Sequence, residues 1–274
     1  MAEVSIAIGV FGSLIGSFLN VVVYRVPAGR SIVNPPSACG ACGVCIRWYD
    51  NVPVISWLLL RGTCRDCSAP ISVRYPLVEL GTALFFVVVG FAFLPAVVSS
   101  TSAPALAGAA LTLVAFLYLA AISVALALID LDVQRLPNTI VLPAYIVGAV
   151  LLSAAALLSG APERLATAAV GAGALFALYL VLALVRRGGM GFGDVKLAGV
   201  LGLFLGFLGW GPLAVGAFAA FVLGGLFGIA LILLRRAGRA TAIPFGPWML
   251  AGAWIGILAG QPITAWYLST VGLV

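Results

Sequence analysis

Residues 106–130 read LAGAALTLVAFLYLAAISVALALID, an uninterrupted apolar run that ends at Asp130. A helix of about 20 mostly apolar residues is long enough to cross the hydrocarbon core of a bilayer. A carboxylate at the boundary of a membrane costs a few kcal/mol and tends to be kept for function. This stretch therefore predicts a membrane-spanning helix and makes Asp130 a candidate functional residue.

The whole chain has the composition of a membrane protein. Of its 274 residues, 64% are hydrophobic and 8% are charged, and the mean hydropathy is +1.23. These values exclude a soluble globular domain. We therefore expect an all-α polytopic membrane protein with about eight transmembrane helices, of which the sixth and the eighth are short. The predicted spans are residues 4–23, 77–98, 106–129, 139–159, 165–185, 197–211, 213–234 and 244–261.

The basic residues predict the orientation of these spans. With eight crossings, every Lys and Arg except Arg164 falls in loops on one side of the membrane, which the positive-inside rule assigns to the cytoplasm. Both termini then lie outside. Lys196 and Arg235 both belong to the cytoplasmic side, so the apolar stretch between them crosses twice and turns at Gly209–Pro212. The net charge of +6 is dispersed along the chain, which predicts contact with the lipid bilayer rather than with nucleic acid.

One polar segment interrupts the apolar pattern. Residues 24–76 contain all five cysteines, together with six arginines and six prolines. We therefore predict three parts: a first transmembrane helix at 1–23, a small cytoplasmic insertion at 24–76, and a seven-helix domain at 77–274. About 50 residues cannot bury a large core, so the insertion needs another source of stability.

The cysteines offer that source as two C-x2-C motifs. Cys39 and Cys42 form one, Cys64 and Cys67 the other, and 21 residues separate them. Four thiolates make a closed, structural zinc site without an open position for catalysis. Disulfides or redox chemistry, and an iron–sulfur cluster, are the alternatives, although a reducing cytoplasm disfavours disulfides. Cys45 lies three residues after Cys42 and could form a competing motif, but we favour Cys39 and Cys42 and expect Cys45 to be a spare buried thiol.

A second aspartate follows the glycine-rich turn GMGFG at residues 189–193. Asp194 is 64 residues beyond Asp130, and the two predicted spans between them return it to the same side of the membrane. Two carboxylates brought together in a low dielectric share one proton. One can then act as a general base on water while the other donates to the substrate carbonyl. The chain has no histidine, which removes the Ser-His and Cys-His classes of hydrolase.

Each acid also has a simpler interpretation. Asp130 and Asp194 could be solvated loop charges that pair with nearby Arg or Lys side chains, and for Asp132 this interpretation is favoured. Glu79 enters the second span, where it could pair with an arginine or shape a pocket. The sequence leaves these alternatives open.

Taken together, these residues resemble the bacterial type IV prepilin peptidases of the bifunctional leader peptidase/N-methyltransferase type. A Gly-x-Gly-Asp motif alone would be weak, but the ordered set is specific, and it runs over most of the chain. Asn138 stands where some members have Asp, and Cys45 stands where the family often has another residue. The motifs are residues 16–22 (GSFLNVV) with Arg25 and Pro27, the two cysteine pairs, 47–57 (RWYDNVPVISW), Arg61-Gly62, 70–79 (PISVRYPLVE), Ile129-Asp130, Leu136–Asn138 and 189–196 (GMGFGDVK).

The resemblance implies a function that spacing alone does not. It implies a membrane aspartic endopeptidase that cleaves the basic leader of prepilins or pseudopilins after a glycine, on the cytoplasmic side of the bacterial inner membrane. Its catalytic aspartates map onto Asp130 and Asp194, and its zinc cysteines onto the two C-x2-C motifs. It also implies N-methylation of the new N-terminus with S-adenosylmethionine, although residues 24–76 contain no glycine fingerprint for a nucleotide.

Two other classes of function remain as alternatives. The acids could carry protons or cations in an ion-coupled transporter with a regulatory zinc module, although the sequence shows no inverted repeat. The chain could also be a non-catalytic assembly or lipid-binding protein. Loss of prepilin cleavage on substitution of either aspartate separates the peptidase from both.

Overall fold

The computed structural model of the chain describes residues 2–185, 190–234 and 244–272. Within these residues the regular structure is helical, with short connections between most helices. The helices are α1 (Ala2–Arg25), α2 (Ile55–Leu59), α3 (Arg74–Val98), α4 (Ala103–Val133), α5 (Asn138–Leu158), α6 (Glu163–Val185), α7 (Phe192–Leu208), α8 (Trp210–Leu233) and α9 (Gly246–Thr270), with a 3-10 turn at Trp48–Asp50.

Six helices of this described part are long and apolar enough to cross a membrane: α1 from Glu3, α3, α4, α5, α6 and α8. The prediction of an all-helical membrane protein is thereby confirmed. Each of the eight predicted spans also coincides with a helix. However, α7, which has 17 residues, and α9 are not among the six, so the count of eight crossings stays a prediction.

The chain divides into two compact units. The first contains the residues up to Pro95 together with Phe116–Ala125, and thus holds α1, the polar insertion and most of α3. Its helices α1 and α3 approach closely along glycines of α1. A Cβ atom at Gly12 would lie 2.8 Å from the Cβ atom of Phe86, and one at Gly16 would lie 2.7 Å from the Cα atom of Glu79.

The second unit contains Ala96–Ala115 and the residues from Leu126 onward. Here α6 packs on α7, and α8 packs on α9, again through glycines. A Cβ atom at Gly202 of α7 would overlap the carbonyl oxygen of Gly171 in α6, and one at Gly256 of α9 would lie 2.5 Å from the carbonyl oxygen of Pro212. Helices can come this close only where side chains are missing, so Gly171 and Gly202 fix the position of α7 against α6, and α7 carries Asp194.

Two connections between helices of this unit are tight. Gln134 ends α4 in the left-handed conformation (φ 51°, ψ 43°) and α5 begins at Asn138. Gly209, with φ +116°, separates α7 from α8, at the turn that the sequence predicted. Several basic residues used to predict orientation lie outside the described residues, as does Gly189; they are Arg186, Arg187, Arg235, Arg236 and Arg239.

Candidate active site and metal centre

Asp130 lies in the last turn of α4, which continues beyond the predicted span to Val133. Its side chain is buried, with 5% of the residue exposed, whereas Asp132 is exposed. The Oδ2 atom of Asp130 accepts a hydrogen bond of 3.0 Å from the backbone N–H of Gly246. The two neighbouring acids therefore lie in different environments, as the helical spacing predicted.

Gly246 is the first residue of α9. A Cβ atom there would lie only 2.7 Å from Oδ2 of Asp130, so the close approach of this amide depends on glycine. The N-terminus of a helix carries partial positive charge. It therefore stabilises the ionised form of Asp130 and fixes the direction of its carboxylate.

Asp194 occupies the third position of α7, in the first turn. Its Oδ2 atom accepts a hydrogen bond of 3.0 Å from the backbone N–H of Gly191, and its own N–H donates to the Gly191 carbonyl over 3.0 Å. The carboxylate thus satisfies a free N–H at the start of its own helix, as the acid of a capping box does. Both aspartates are therefore oriented by main-chain amides near helix N-termini.

The two carboxylates are close enough to interact electrostatically. Each uses Oδ2 for a backbone amide, and within the described residues no group donates a hydrogen bond to either Oδ1. Leu136 packs between the two glycine-containing segments. Its Cβ atom lies 3.0 Å from where a Cβ atom would sit at Gly193, and its Cδ2 atom 3.5 Å from the same position at Gly246. This arrangement leaves two carboxylate oxygens available to a water molecule and a shared proton.

Further contacts hold the start of α7 in place. Lys196 donates a hydrogen bond of 2.9 Å to Oδ1 of Asn138 at the start of α5. Tyr145 of α5 donates a bond of 2.6 Å to the carbonyl oxygen of Lys196. Tyr179 of α6 is buried and interacts electrostatically with Asp194. Lys196, which the simpler interpretation offered as a partner for Asp194, is bonded to the amide of Asn138 instead.

Four cysteines come together in the polar insertion. The Sγ atoms of Cys39, Cys42, Cys64 and Cys67 all lie within 4.8 Å of one another, and those of Cys39 and Cys67 are 3.7 Å apart. Four sulfurs at about 2.3 Å from a tetrahedral zinc ion lie about 3.8 Å from one another. The spacing and the all-sulfur donor set therefore fit a metal such as zinc. Cys45 is not part of the cluster, as expected, but the prediction that it is buried is wrong, because its residue is exposed.

The two C-x2-C motifs fold in the same way. The carbonyl of Cys39 accepts from the N–H of Gly43 over 2.9 Å, and the carbonyl of Cys64 accepts from the N–H of Ser68 over 2.9 Å. Gly43 and Ser68 both adopt positive φ, at +72° and +58°. The glycine at this position of the first motif is thus matched by a serine in the second.

The ionisation of the thiols is uneven. Hydrogen bonds from the backbone N–H groups of Cys42 and Ala41 lower the pKa of Cys39 to about 6. Although the N–H of Ala69 favours its thiolate, the pKa of Cys67 is raised to about 12 by desolvation and by hydrogen bonds with the neighbouring thiols. Metal ligands must be deprotonated, so binding of an ion would release protons from this cluster.

Two arginines of the insertion form ion pairs with its aspartates. Arg65 binds Asp50 through two nitrogens, with Nη2 2.6 Å from Oδ1, and Arg47 binds Asp66 at 2.9 Å. The Arg65 guanidinium lowers the pKa of Asp50. These pairs connect the residues around the second C-x2-C motif with the segment after the first, so their role is to hold the insertion together.

The contacts that orient Asp130 were missed by reasoning from sequence. Gly246 is 116 residues from its acceptor, and an N–H group has no signature in the sequence. In the sequence, Leu136 stands out only as part of the motif Leu136–Asn138, which does not indicate its position between two glycines. The one available signal was the pattern Phe245-Gly246-Pro247, in which a glycine and a proline begin an apolar run.

Comparison with known proteins gives consistent results along the chain. A family model described as the bacterial peptidase A24 N-terminal domain matches residues 10–93, and one described as the type IV leader peptidase family matches residues 117–229. The second match includes both aspartates and the first includes all five cysteines. No solved structure matches the chain.

Curated relatives cover nearly the full length. Each of the relatives compared is named prepilin leader peptidase/N-methyltransferase. The one from Aeromonas salmonicida strain A449 is 37% identical to this chain, and the alignment covers 95% of this chain and 92% of the relative. The protein of that name from Aeromonas hydrophila is 39% identical, over 94% of this chain and 92% of the relative. The one from Pseudomonas putida is 36% identical, over 96% of this chain and 93% of the relative. On this evidence, the chain belongs to the type IV leader peptidase family.

Proposed function

We propose that this protein is a prepilin leader peptidase/N-methyltransferase. It cleaves the basic leader of prepilins or pseudopilins after a glycine and then methylates the new N-terminal amine. The names of relatives that match it over nearly their whole length support this function. The observation that carries the peptidase assignment is the pair Asp130 and Asp194, each held by a backbone amide with one oxygen left for chemistry.

Peptide hydrolysis by this pair needs only one proton between the two acids. The ionised carboxylate takes a proton from a water molecule, which attacks the carbonyl carbon of the glycine. The protonated carboxyl donates its proton to the carbonyl oxygen, and the leaving amine is protonated as the peptide bond breaks. Each carboxylate lies at the N-terminal end of a helix, so the pair supplies one base and one acid in the first step whichever aspartate carries the charge.

Zinc has a structural role in this proposal. Four thiolates fill a tetrahedral ion, so no position stays open for a substrate or water. Binding of the ion instead stabilises an insertion that is too small to bury a core, because metal affinity adds directly to folding free energy.

Methylation requires a donor. Bound S-adenosylmethionine supplies an electrophilic methyl group: the neutral amine nitrogen forms the new C–N bond, the C–S bond breaks with its electrons on sulfur, and the amine loses a proton. Any site in this chain must therefore offer groups of both charges, since the donor combines a carboxylate with an ammonium and a sulfonium.

The proposed location is the bacterial inner membrane. We propose that α7 and α9 also cross it, which gives eight transmembrane helices, both termini outside and the catalytic aspartates on the cytoplasmic side. The clustering of basic residues in loops of one side supports this orientation. A prepilin anchored by its own hydrophobic helix would present its basic leader on that same side.

The purified protein in detergent should process a purified prepilin, and mass spectrometry of the product should detect both steps. Without S-adenosylmethionine we expect loss of the leader; with it we expect the same product with a methyl group on its N-terminus. Asp130→Asn or Asp194→Asn should lower the rate of cleavage on the order of 1,000-fold or more, because each removes an ionisable carboxyl. Asn keeps the shape and the oxygen that accepts the backbone N–H.

Asp132→Asn is the matched control. Asp132 belongs to the same helix but is exposed, so its variant should cleave at the rate of the unchanged protein. If both Asp130→Asn and Asp194→Asn retained cleavage, the assignment of the pair as catalytic would be wrong.

A further inference from the structure

The side chain of Leu136 lies against both segments that orient the carboxylates. A Cβ atom at Gly193, next to Asp194, would lie 3.0 Å from the Cβ atom of Leu136 and 3.6 Å from its Cγ and Cδ1 atoms. A Cβ atom at Gly246 would lie 2.7 Å from Oδ2 of Asp130 and 3.5 Å from Cδ2 of Leu136. Leu136 therefore fills space between the first turn of α7 and the start of α9, beside the aspartate pair.

The backbone holds Leu136 in this position. It belongs to the short connection between α4 and α5, residues 134–137. At one end the N–H of Gln134 donates to the carbonyl of Asp130 over 2.9 Å, and at the other the carbonyl of Pro137 accepts from the first turn of α5. Proline has a fixed φ, and the residue before a proline is biased toward extended backbone. Leu136 thus forms a rigid wall.

This wall is within reach of a substrate. Leu136 is half-buried rather than enclosed, as is Asp194. Neither Gly193 nor Gly246 has a side chain that could cover it. The room beside the carboxylates is therefore limited by main-chain atoms of these two glycines and by the end of the Leu136 side chain.

Cleavage brings the peptide bond to the same place. The carbonyl oxygen before the bond accepts a hydrogen bond from one carboxyl, at about 2.7 Å. The Cβ atom of the residue before the bond is two bonds from the carbonyl carbon, at about 2.5 Å. A side chain at that position would therefore start within roughly 6 Å of the carboxylates, which is the region that Leu136 borders.

We infer that Leu136 is a specificity-determining residue: its side chain excludes a β-carbon before the cleaved bond, so that glycine alone brings its carbonyl to both aspartates. The inference rests on the proposed peptidase function, and it assigns the requirement for glycine to one side chain of this protein. Backbone can approach a surface most closely at glycine. Leu136 takes no part in proton transfer.

Two purified prepilins test this role, one unchanged and one with alanine in place of the glycine before the cleavage site. The measured quantity is the ratio of kcat/KM for the glycine substrate to kcat/KM for the alanine substrate. For the unchanged protein we expect a ratio on the order of 100. Leu136→Ala should lower this ratio about tenfold, because it opens space for the added methyl group.

Two variants serve as controls. Leu136→Met keeps the volume of the side chain and should keep the ratio. Leu131→Ala makes the same change next to Asp130, in a residue that is 58% exposed, and should also keep the ratio. Both substrates are cleaved by one preparation, so the ratio does not depend on the fraction of folded protein. If Leu136→Ala yields no folded protein, Leu136→Val should lower the ratio in the same direction by a smaller factor.

The inference is overturned if Leu136→Ala, or Leu136→Val in its place, changes both rates by the same factor. Glycine would then be required for its backbone conformation rather than for room. It is also overturned if the unchanged protein cleaves both substrates equally well.

The glycine substrate separates this inference from the function on which it rests. If the unchanged protein cleaves neither prepilin, the peptidase function and the role of Leu136 both fail. If it cleaves the glycine substrate and Asp194→Asn does not, the function stands, and a ratio that does not respond to Leu136 shows that only the inference is wrong.

Discussion

At the scale of single residues, the two aspartates are oriented by main-chain amides, of which that of Gly246 approaches closely enough to require glycine. Gly246 brings an amide to Asp130, and Gly191 brings one to Asp194. The carboxylates are thus held by main-chain groups, which move less than the ends of long side chains. Precise orientation of this kind is a large part of what an active site contributes to rate.

Gly246→Ala should separate orientation from stability. The new methyl carbon would lie 2.7 Å from Oδ2 of Asp130, and the carboxylate can rotate away without movement of the backbone. We expect cleavage to fall about 10- to 100-fold, while the midpoint of thermal unfolding changes little. Gly225→Ala is the control, because a Cβ atom there meets nothing within 4 Å. Full activity of Gly246→Ala would show that this contact does not orient Asp130.

The sequence predicted the acids of the candidate site but not the groups that orient them. Asp130 and Asp194 can be found because a charge stands out in an apolar chain and because the spans between them return the chain to the same side. Gly246 could not be found, since its contribution is a backbone N–H that any residue but proline carries. The position of Leu136 between two glycines likewise depends on tertiary packing.

At the scale of elements, rows of glycines at the contacts between helices determine how closely the helices pack. We call such a row a seam. In membranes the attraction between helices comes mostly from close packing, because lipid is as apolar as the side chains. The seam between α6 and α7 is formed by Gly171, Gly202 and Gly206, at each of which a Cβ atom would collide with the backbone of the facing helix. Since α7 carries Asp194 in its first turn, this seam also positions the candidate site.

Gly202→Leu should force the two helices apart. Its Cβ atom would overlap the carbonyl oxygen of Gly171, and backbone cannot move aside as a side chain can. We expect a loss of about 1–3 kcal/mol of stability, measured as a lower midpoint of unfolding in detergent, together with slower cleavage. Gly173→Leu introduces the same side chain on α6 where a Cβ atom meets nothing within 4 Å, so it should unfold like the unchanged protein. Equal stability of the two variants would contradict this account.

The four-cysteine cluster of the insertion gives a prediction at the same scale. Cys64→Ser should lower the zinc content, measured by atomic emission on purified protein, from about one ion per chain to near zero, because three thiolates do not close the site. Cys45→Ser should keep its zinc, since Cys45 lies outside the cluster. Loss of zinc in both variants, or in neither, would show that the ion is bound in another way.

The helices themselves were predicted well because their signal is local. Each predicted span coincides with a helix, and the differences lie at the ends. Helix α7 begins at Phe192 rather than at 197, because its first turn contains Asp194 and Lys196 and so carries no apolar signal. Helix α4 extends to Val133 for the same reason. Hydropathy measures burial in lipid, and a helix can continue into the polar boundary.

At the scale of the whole molecule, the distribution of charge determines orientation. Only 22 of the 274 residues are charged, and the basic ones fall almost entirely in loops of one predicted side. This bias acts on the chain as it inserts, so it is independent of how the helices later pack. It therefore predicts topology even for the two helices that hydropathy leaves uncertain.

Labelling with a membrane-impermeant thiol reagent tests the eight crossings. Trp210→Cys, in the turn between α7 and α8, should react in intact spheroplasts, whereas Arg135→Cys should react only after permeabilisation. The unchanged protein provides the baseline, because its own cysteines lie in the predicted cytoplasmic insertion. If Trp210→Cys also required permeabilisation, α7 would not cross the membrane and the count of eight would be wrong.

The attachment of both acids to main-chain amides has a consequence for drug resistance. An inhibitor that bridges the two Oδ1 atoms would rely on a geometry fixed by peptide groups, and replacing a side chain rarely deletes a peptide N–H. The changes that abolish such binding most directly are those of Asp130 and Asp194 themselves, and under the proposed function a bacterium carrying them would lose pilin maturation along with its sensitivity.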